Sequence, residues 1–191
     1  MEEPNLSHEI SGSLFTFISS VFKKHGVKAV LVGGYALIAN KVQRMTFDID
    51  FMITADDCAA IEPELLQAGY SLFNRQDAFV QFKAEKQALR DLDFLIGDRH
   101  TLDILIAEGK KVSIAGESFS VPSPLHLIAM KLHSMSGNRK RELKDFPDVV
   151  QLLTANAINP LDERVKKLFE TYKVGDLYNR VITLTGAHNG R

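Results

Sequence analysis

Apolar residues near the start of the chain recur at helical spacing. Ile10, Leu14, Phe17, Ile18, Val21 and Phe22 share a face, with Ser7 as N-cap and Gly26 as stop, which predicts a first helix. The period then shortens. Lys28–Val32 predicts a short apolar strand, turned by Gly33-Gly34 into a helix over Tyr35–Asn40. Phe47–Ile53 alternates and predicts a second strand, with Phe47, Ile49 and Phe51 facing a core. Asp56 or Asp57 opens a helix through Cys58, Ile61, Leu65 and Leu66, closed by Gly69. Tyr70–Phe73, Ala78–Lys83 and Leu92–Ile96 predict further strands, whereas Thr101–Ala107 fits a helix or a strand. Val112–Ile114 and Phe119–Val121, joined through Ala115-Gly116-Glu117, predict a hairpin.

Beyond Ser123-Pro124, a strong helix start, the pattern is helical throughout. Expected helices are Leu125–Met135, about Asp145–Leu153 with Asp145 and Asp148 as caps, one opened by Asn159-Pro160, and Leu177–Leu184. Strands early and helices late predict an α+β fold. The expected division is residues 1–122 as a core, 123–185 as a helical part packed on it, and 186–191 as a disordered tail.

With 191 residues the chain can build one domain with a real core. Its net charge of −1 gives no global field toward nucleic acid or membrane, so any polyanion contact must be local. Cys58 is the only cysteine, which excludes an intrachain disulfide and a cysteine-built zinc site. The histidines are scattered without a metal-binding spacing. No basic leader precedes an apolar stretch and no apolar run approaches a membrane span, so a cytoplasmic location is expected.

The candidate chemistry lies in Thr46-Phe47-Asp48-Ile49-Asp50-Phe51. Two residues apart on a strand, Asp48 and Asp50 point to one face, and their repulsion gives the fold nothing unless a cation neutralises it. Paired oxygen donors suit a hard divalent ion, and two-metal chemistry on phosphates is the economical reading. Two acids on a water-facing edge strand would look the same. Gly33-Gly34 either lets backbone N–H groups approach phosphate or permits a tight turn. No Walker loop or dinucleotide fingerprint accompanies it. A third carboxylate has two candidates, Asp93 and Asp103. Asp93 has the cleaner strand context, and Arg90 is a possible partner for Asp91 beside it. Lys131 interrupts an apolar helix face, so it snorkels outward or points into a cleft holding anions. The basic run Arg139–Lys144 is either solvated surface or a polyanion contact.

Together these residues resemble the nucleotidyltransferase superfamily of DNA polymerase beta: a glycine pair, thirteen residues, Asp-x-Asp, then a third Asp on a later strand. Arg44–Phe51, and Pro124–Leu132 followed by Arg139, Lys144-Asp145 and Asp148, are similar to the bacterial AbiEii/AbiGii-type branch, many of whose members are toxins of toxin–antitoxin pairs. The resemblance implies a small mixed sheet with flanking helices and a helical C-terminal third. It implies Mg²⁺ or Mn²⁺ held by Asp48, Asp50 and Asp93, with Asp93 helping to activate the acceptor hydroxyl. An NTP is the implied substrate, its phosphates contacted by Gly33, Gly34, Arg44, Lys131 and Arg139. A nucleoside monophosphate would pass to RNA, tRNA, a protein hydroxyl or a small molecule, with a cognate antitoxin as a possible partner and no membrane. The alternative is a non-catalytic protein of the same fold that binds a nucleotide or a partner.

Overall fold

The computed structural model describes residues 6–86 and 89–186, with side-chain surroundings from residue 14 onward. The elements run α1 (Leu6–His25), β1 (Val30–Leu31), α2 (Gly33–Ala39), β2 (Ile49–Ile53), α3 (Ala55–Ala68), β3 (Tyr70–Gln76), β4 (Phe79–Ala84), β5 (Leu92–Ile96), α4 (Arg99–Ala107), β6 (Lys110–Ile114), β7 (Glu117–Val121), α5 (Pro124–Gly137), a 3-10 turn (Arg139–Arg141), α6 (Glu142–Ala155), α7 (Glu163–Thr171) and α8 (Gly175–Thr185). The chain forms two compact units. One runs to Tyr35 and resumes over Met45–Pro122; the other takes Ala36–Arg44 and everything from Ser123. The α+β architecture is as the hydrophobic pattern predicts.

The first unit is a mixed seven-stranded sheet in the order β3-β4-β5-β2-β1-β7-β6. Its centre is the parallel pair β2–β5, in register Asp50↔Asp93 and Phe51↔Phe94. Alternation along β2 buries Ile49, Phe51 and Ile53 on one face. Phe51 is the hub of that face: its ring centroid lies 5.0 Å from Phe22, 5.8 Å from Phe119 and 6.3 Å from Phe94. From α1, Leu14, Phe15, Ile18, Val21 and Phe22 form the buried stripe. Since the Asp50 side of β2 is opposite this core, the acids stay solvated while the aromatics are not.

Several boundaries differ from the sequence expectations. The second strand starts at Ile49, not Phe47, and Phe47 is 73% exposed rather than in the core. The segment 43–48 does not pair as a strand; its shape comes from side-chain contacts instead, as described below. Thr101–Ala107 is helical, capped by Asp98, whose side chain accepts from the Thr101 N–H at 2.8 Å. The helix expected from Asn159-Pro160 starts at Glu163, because Asn159 folds a turn and Asp162 caps the helix by accepting from the Arg164 N–H. Helix α1 begins at Leu6, so Ser7 lies inside it rather than at its cap; the Ser7 and Ile10 side chains, and the tail from 187, lie outside the described residues. Among the described residues no helix is long and apolar enough to cross a membrane.

In the second unit, α6 buries Phe146, Val149, Leu152 and Leu153. The Asn156 amide, past the end of α6, donates to the Asn40 carbonyl at 2.9 Å, tying the end of α2 into this unit. Asp145 and Asp148 do not cap α6, which starts at Glu142. Both lie inside it and are buried.

Candidate active site

The parallel register of β2 and β5 sets Asp50 beside Asp93, and Asp48 stands at the entry to β2. One carboxylate oxygen from each of Asp48, Asp50 and Asp93 lies within 4.8 Å of the other two, with all three residues half-buried. Asp103 is not among them. It sits on α4, where Lys28 Nζ reaches it at 2.9 Å. Asp91 pairs with Lys83 and accepts the Ala84 N–H at 3.0 Å, so its expected neighbour Arg90 is used elsewhere.

Two of the acids, Asp48 and Asp93, are held from outside the cluster. The Thr46 hydroxyl donates to Asp48 Oδ1 at 3.1 Å, and Arg90 donates to the Thr46 carbonyl at 3.1 Å, which fixes the approach to β2 in place of a strand ladder. Across the β4–β5 pair, Gln81 faces Asp93 and its amide nitrogen lies 3.1 Å from both carboxylate oxygens. Burial pushes the Asp93 carboxyl above the ordinary carboxylate range; the Gln81 contact opposes this and the Asp48 charge adds to it.

The glycine pair has a definite steric role. Gly33 has φ +57°, and a β-carbon there would lie 1.9 Å from Asp50 Oδ2. A β-carbon on Gly34 would lie 2.3 Å from the Thr46 hydroxyl oxygen. What the missing side chains admit is therefore the chain's own Asp50 and Thr46, one a member of the acid cluster and the other its support. Gly33→Ala combines left-handed backbone strain with a collision that the Asp50 side chain must escape by moving out of the cluster. We expect this variant to lose metal-dependent activity even where it folds. Near-parent activity would show that Asp50 has room to stay.

Lys131 points neither to solvent nor at an empty cleft. Its ammonium lies 2.7 Å from Asp145 Oδ1 and 2.8 Å from Asp148 Oδ2. Arg141 Nε donates to Asp145 at 2.8 Å, and Arg44 pairs with Asp148. Burial raises the Asp145 carboxyl, but the Arg141 and Lys131 contacts outweigh it and hold the group below the ordinary range. Arg139 is engaged by Asp176 and Glu142. Gln81, Thr46 and this ion network are not evident from the sequence. Gln81 has one usable signal, a polar position alternating with the buried Val80 and Phe82, but its partner depends on strand order.

The resemblance implies carboxylates on two adjacent strands, and β2 and β5 are adjacent; the packing of Gly33 and Gly34 against Asp50 and Thr46 is not something it implies. Solved structures share the fold. The antibiotic-resistance factor ANT(2'')-Ia superposes with a TM-score of 0.63 at 15% identity, covering 95% of this chain and 100% of that one. An antigenic nucleotidyltransferase-like protein from Paracoccidioides brasiliensis gives 0.57 at 13% identity, covering 91% and 92%. The lincomycin-bound lincosamide antibiotic adenylyltransferase LnuA gives 0.53 at 14%, covering 75% and 96%. No curated protein matches in sequence. The model of the nucleotidyl transferase AbiEii toxin family, of type IV toxin–antitoxin systems, matches residues 16–187, and with nearly its whole length inside that match this chain belongs to that family of nucleotidyl transferases.

Proposed function

We propose that this nucleotidyl transferase takes an NTP with Mg²⁺ or Mn²⁺ at Asp48, Asp50 and Asp93 and moves the nucleoside monophosphate to an acceptor hydroxyl. The observation that carries the proposal is the convergence of three carboxylate oxygens within 4.8 Å. The donor set fits the ion: oxygen ligands only, anionic, solvent-accessible, and mutually repelling without a cation. A divalent ion bound there would supply charge neutralisation of the triphosphate and of the leaving pyrophosphate. In the transfer, the acceptor oxygen forms a bond to the α-phosphorus, the bond to the bridging oxygen breaks, and pyrophosphate departs with the electron pair. Asp93 takes up the acceptor's hydroxyl proton, a role that rests on the resemblance and on its place in the trio. Gln81 keeps it oriented. A role for the family's antitoxin as partner belongs to the same proposal and rests on the family match.

Contact of Gly33, Gly34, Arg44, Lys131 and Arg139 with the triphosphate rests on the resemblance alone. Arg44, Lys131 and Arg139 already hold carboxylates of their own. The non-catalytic alternative predicts nucleotide binding without turnover.

Thermal melting in the presence of Mn²⁺ plus each NTP tests the proposal. A ligand bound only by the folded state at about a hundred times its Kd adds roughly 2.7 kcal/mol. The preferred NTP with Mn²⁺ should raise the melting temperature above either component alone, and labelled NTP should then transfer to an acceptor in lysate. No shift with any NTP would remove the proposal.

A further inference from the structure

The three acids of the trio do not owe their positions to the same device. Asp50 lies within β2, where its carbonyl accepts the Val32 N–H at 2.9 Å and its register partner is Asp93. Asp93 lies within β5, laddered to β2 on one side and to β4 on the other. Asp48 precedes β2; it is the neighbouring Ile49 N–H that donates across to the Asp91 carbonyl, at 3.1 Å. Nor does apolar packing hold the approach, since Met45 is 79% exposed and Phe47 73%. An extended segment with neither a ladder nor buried apolar side chains samples many conformers unless other hydrogen bonds fix it.

Arg90, half-buried at the entry to β5, supplies those bonds. Its Nη1 donates to the Thr46 carbonyl at 3.1 Å and lies 3.5 Å from the Phe47 carbonyl. Beside a cluster of acids, this guanidinium serves backbone carbonyls. Thr46 passes the constraint on. Its hydroxyl lies 3.1 Å from Asp48 Oδ1 and 3.2 Å from the Asp48 carbonyl, and it donates to one of them at a time. Gly34 confines that hydroxyl from the other side, because a β-carbon there would lie 2.3 Å from it. The contacts therefore run from Arg90 to the Thr46 backbone and from the Thr46 hydroxyl to the Asp48 carboxylate.

We propose that Arg90 is a positioning residue of the metal site: it clamps the Thr46 backbone so that the Thr46 hydroxyl holds the Asp48 carboxylate within one ion's reach of Asp50 and Asp93. The inference rests on the metal reading of the trio proposed above. Groups that orient a metal's ligands without touching the metal set its affinity, and losing one typically weakens binding about 10–100-fold. Charge and position act in opposite directions here. Removing a cation beside an anionic site strengthens the binding of another cation. Weaker binding in an uncharged Arg90 variant would therefore report lost geometry and not lost charge.

Titration of the full chain with Mn²⁺ alone, read as loss of the free-ion electron paramagnetic resonance signal, measures affinity without any turnover. Arg90→Met keeps the apolar stem and removes the donors; it should weaken Mn²⁺ binding about tenfold. Thr46→Val, which deletes only the hydroxyl, should weaken it to a similar extent. Because Arg90 acts through Thr46, the double variant should bind like the weaker single variant. Fully additive losses would overturn the proposal, as would unchanged or tighter binding by Arg90→Met. Circular dichroism confirms folding. Should the methionine variant not fold, Arg90→Lys replaces the planar fork with a flexible point donor at constant charge. Its Mn²⁺ affinity should still fall severalfold, and parent affinity would overturn the proposal. A merely structural Arg90 would lower the melting temperature in EDTA and leave the Mn²⁺ affinity of the folded protein untouched. Binding that Asp48→Asn abolishes and Arg90→Met leaves intact would sink this inference while the metal reading stands. A parent that binds no Mn²⁺ would overturn the metal reading and this inference with it.

Discussion

Asp93→Asn is expected to abolish nucleotidyl transfer while leaving the metal-free protein as stable as the parent or slightly more so. The two effects have one cause. Asp93 lies on the polar face of β5, half-buried, with an oxygen within 4.8 Å of oxygens from Asp48 and Asp50. Burial and the Asp48 charge both disfavour its ionised form, so without a cation its charge works against the fold. The sign follows: with a folded-state pKa above the unfolded value, this group's contribution declines as pH rises through the interval between the two. Asn removes the charge and keeps an oxygen for the Gln81 amide, which now lies 3.1 Å from the carboxylate. Activity has no such substitute. If Asp93 holds the divalent ion as proposed, its loss forfeits several kcal/mol of transition-state stabilisation, roughly a thousandfold or more in rate. Melting in EDTA and a labelled-NTP assay check the two halves separately. Unfolding of the variant in EDTA would make Asp93 a structural residue; retained activity would remove it from the catalytic set.

The elements of the sheet unit are largely legible because their signals are local. Leu92–Ile96 alternates within an apolar run and ends at Gly97, and it forms β5 with those bounds. What the pattern does not supply is order. The β3-β4-β5-β2-β1-β7-β6 arrangement pairs β2 in parallel with β5, and that long-range pairing is what brings Asp93 to Asp50. Asp93 and Asp103 are both lone acids in apolar runs, and only a helix at 99–107 separates their fates. Phe47 misleads for a similar reason. Alternation continues through it, but Arg90 and Thr46, more than forty residues apart, shape that segment through hydrogen bonds.

The glycines and the lysine are legible as anomalies and not as contacts. Gly33-Gly34 fits a turn open to phosphate or to close packing; a β-carbon at each position meets Asp50 or Thr46, residues that follow in sequence after an entire helix. Lys131 stands out as a cation on an apolar face. Its partners Asp145 and Asp148 lie three apart on one helix, yet Pro147 mimics a helix start and gives them the look of caps. Here Pro147 sits in the second turn, and the helix has already begun at Glu142.

Asp145→Ala should be among the most destabilising single substitutions in the helical unit. Asp145 is fully buried and accepts from Lys131 at 2.7 Å and Arg141 at 2.8 Å. Removing it leaves Lys131, whose side chain is 13% exposed, with Asp148 as its one remaining carboxylate among the described residues, which Arg44 already shares. Breaking a buried pair from one side costs about 3–5 kcal/mol, which corresponds to a melting temperature lower by roughly 10 °C in a chain of this length. Lys131→Met in the same background should recover part of the loss, since it removes the orphaned charge and keeps the apolar stem. The pH dependence has the opposite sign to that of Asp93. With a folded-state pKa below the unfolded value, Asp145 contributes fully above the ordinary carboxylate range, and its contribution is lost as pH falls through its depressed value. Acid unfolding of the parent should therefore be steeper than that of Asp145→Ala. Equal melting temperatures for parent and variant at neutral pH would mean that Lys131 finds another partner and that the network does not hold the unit together.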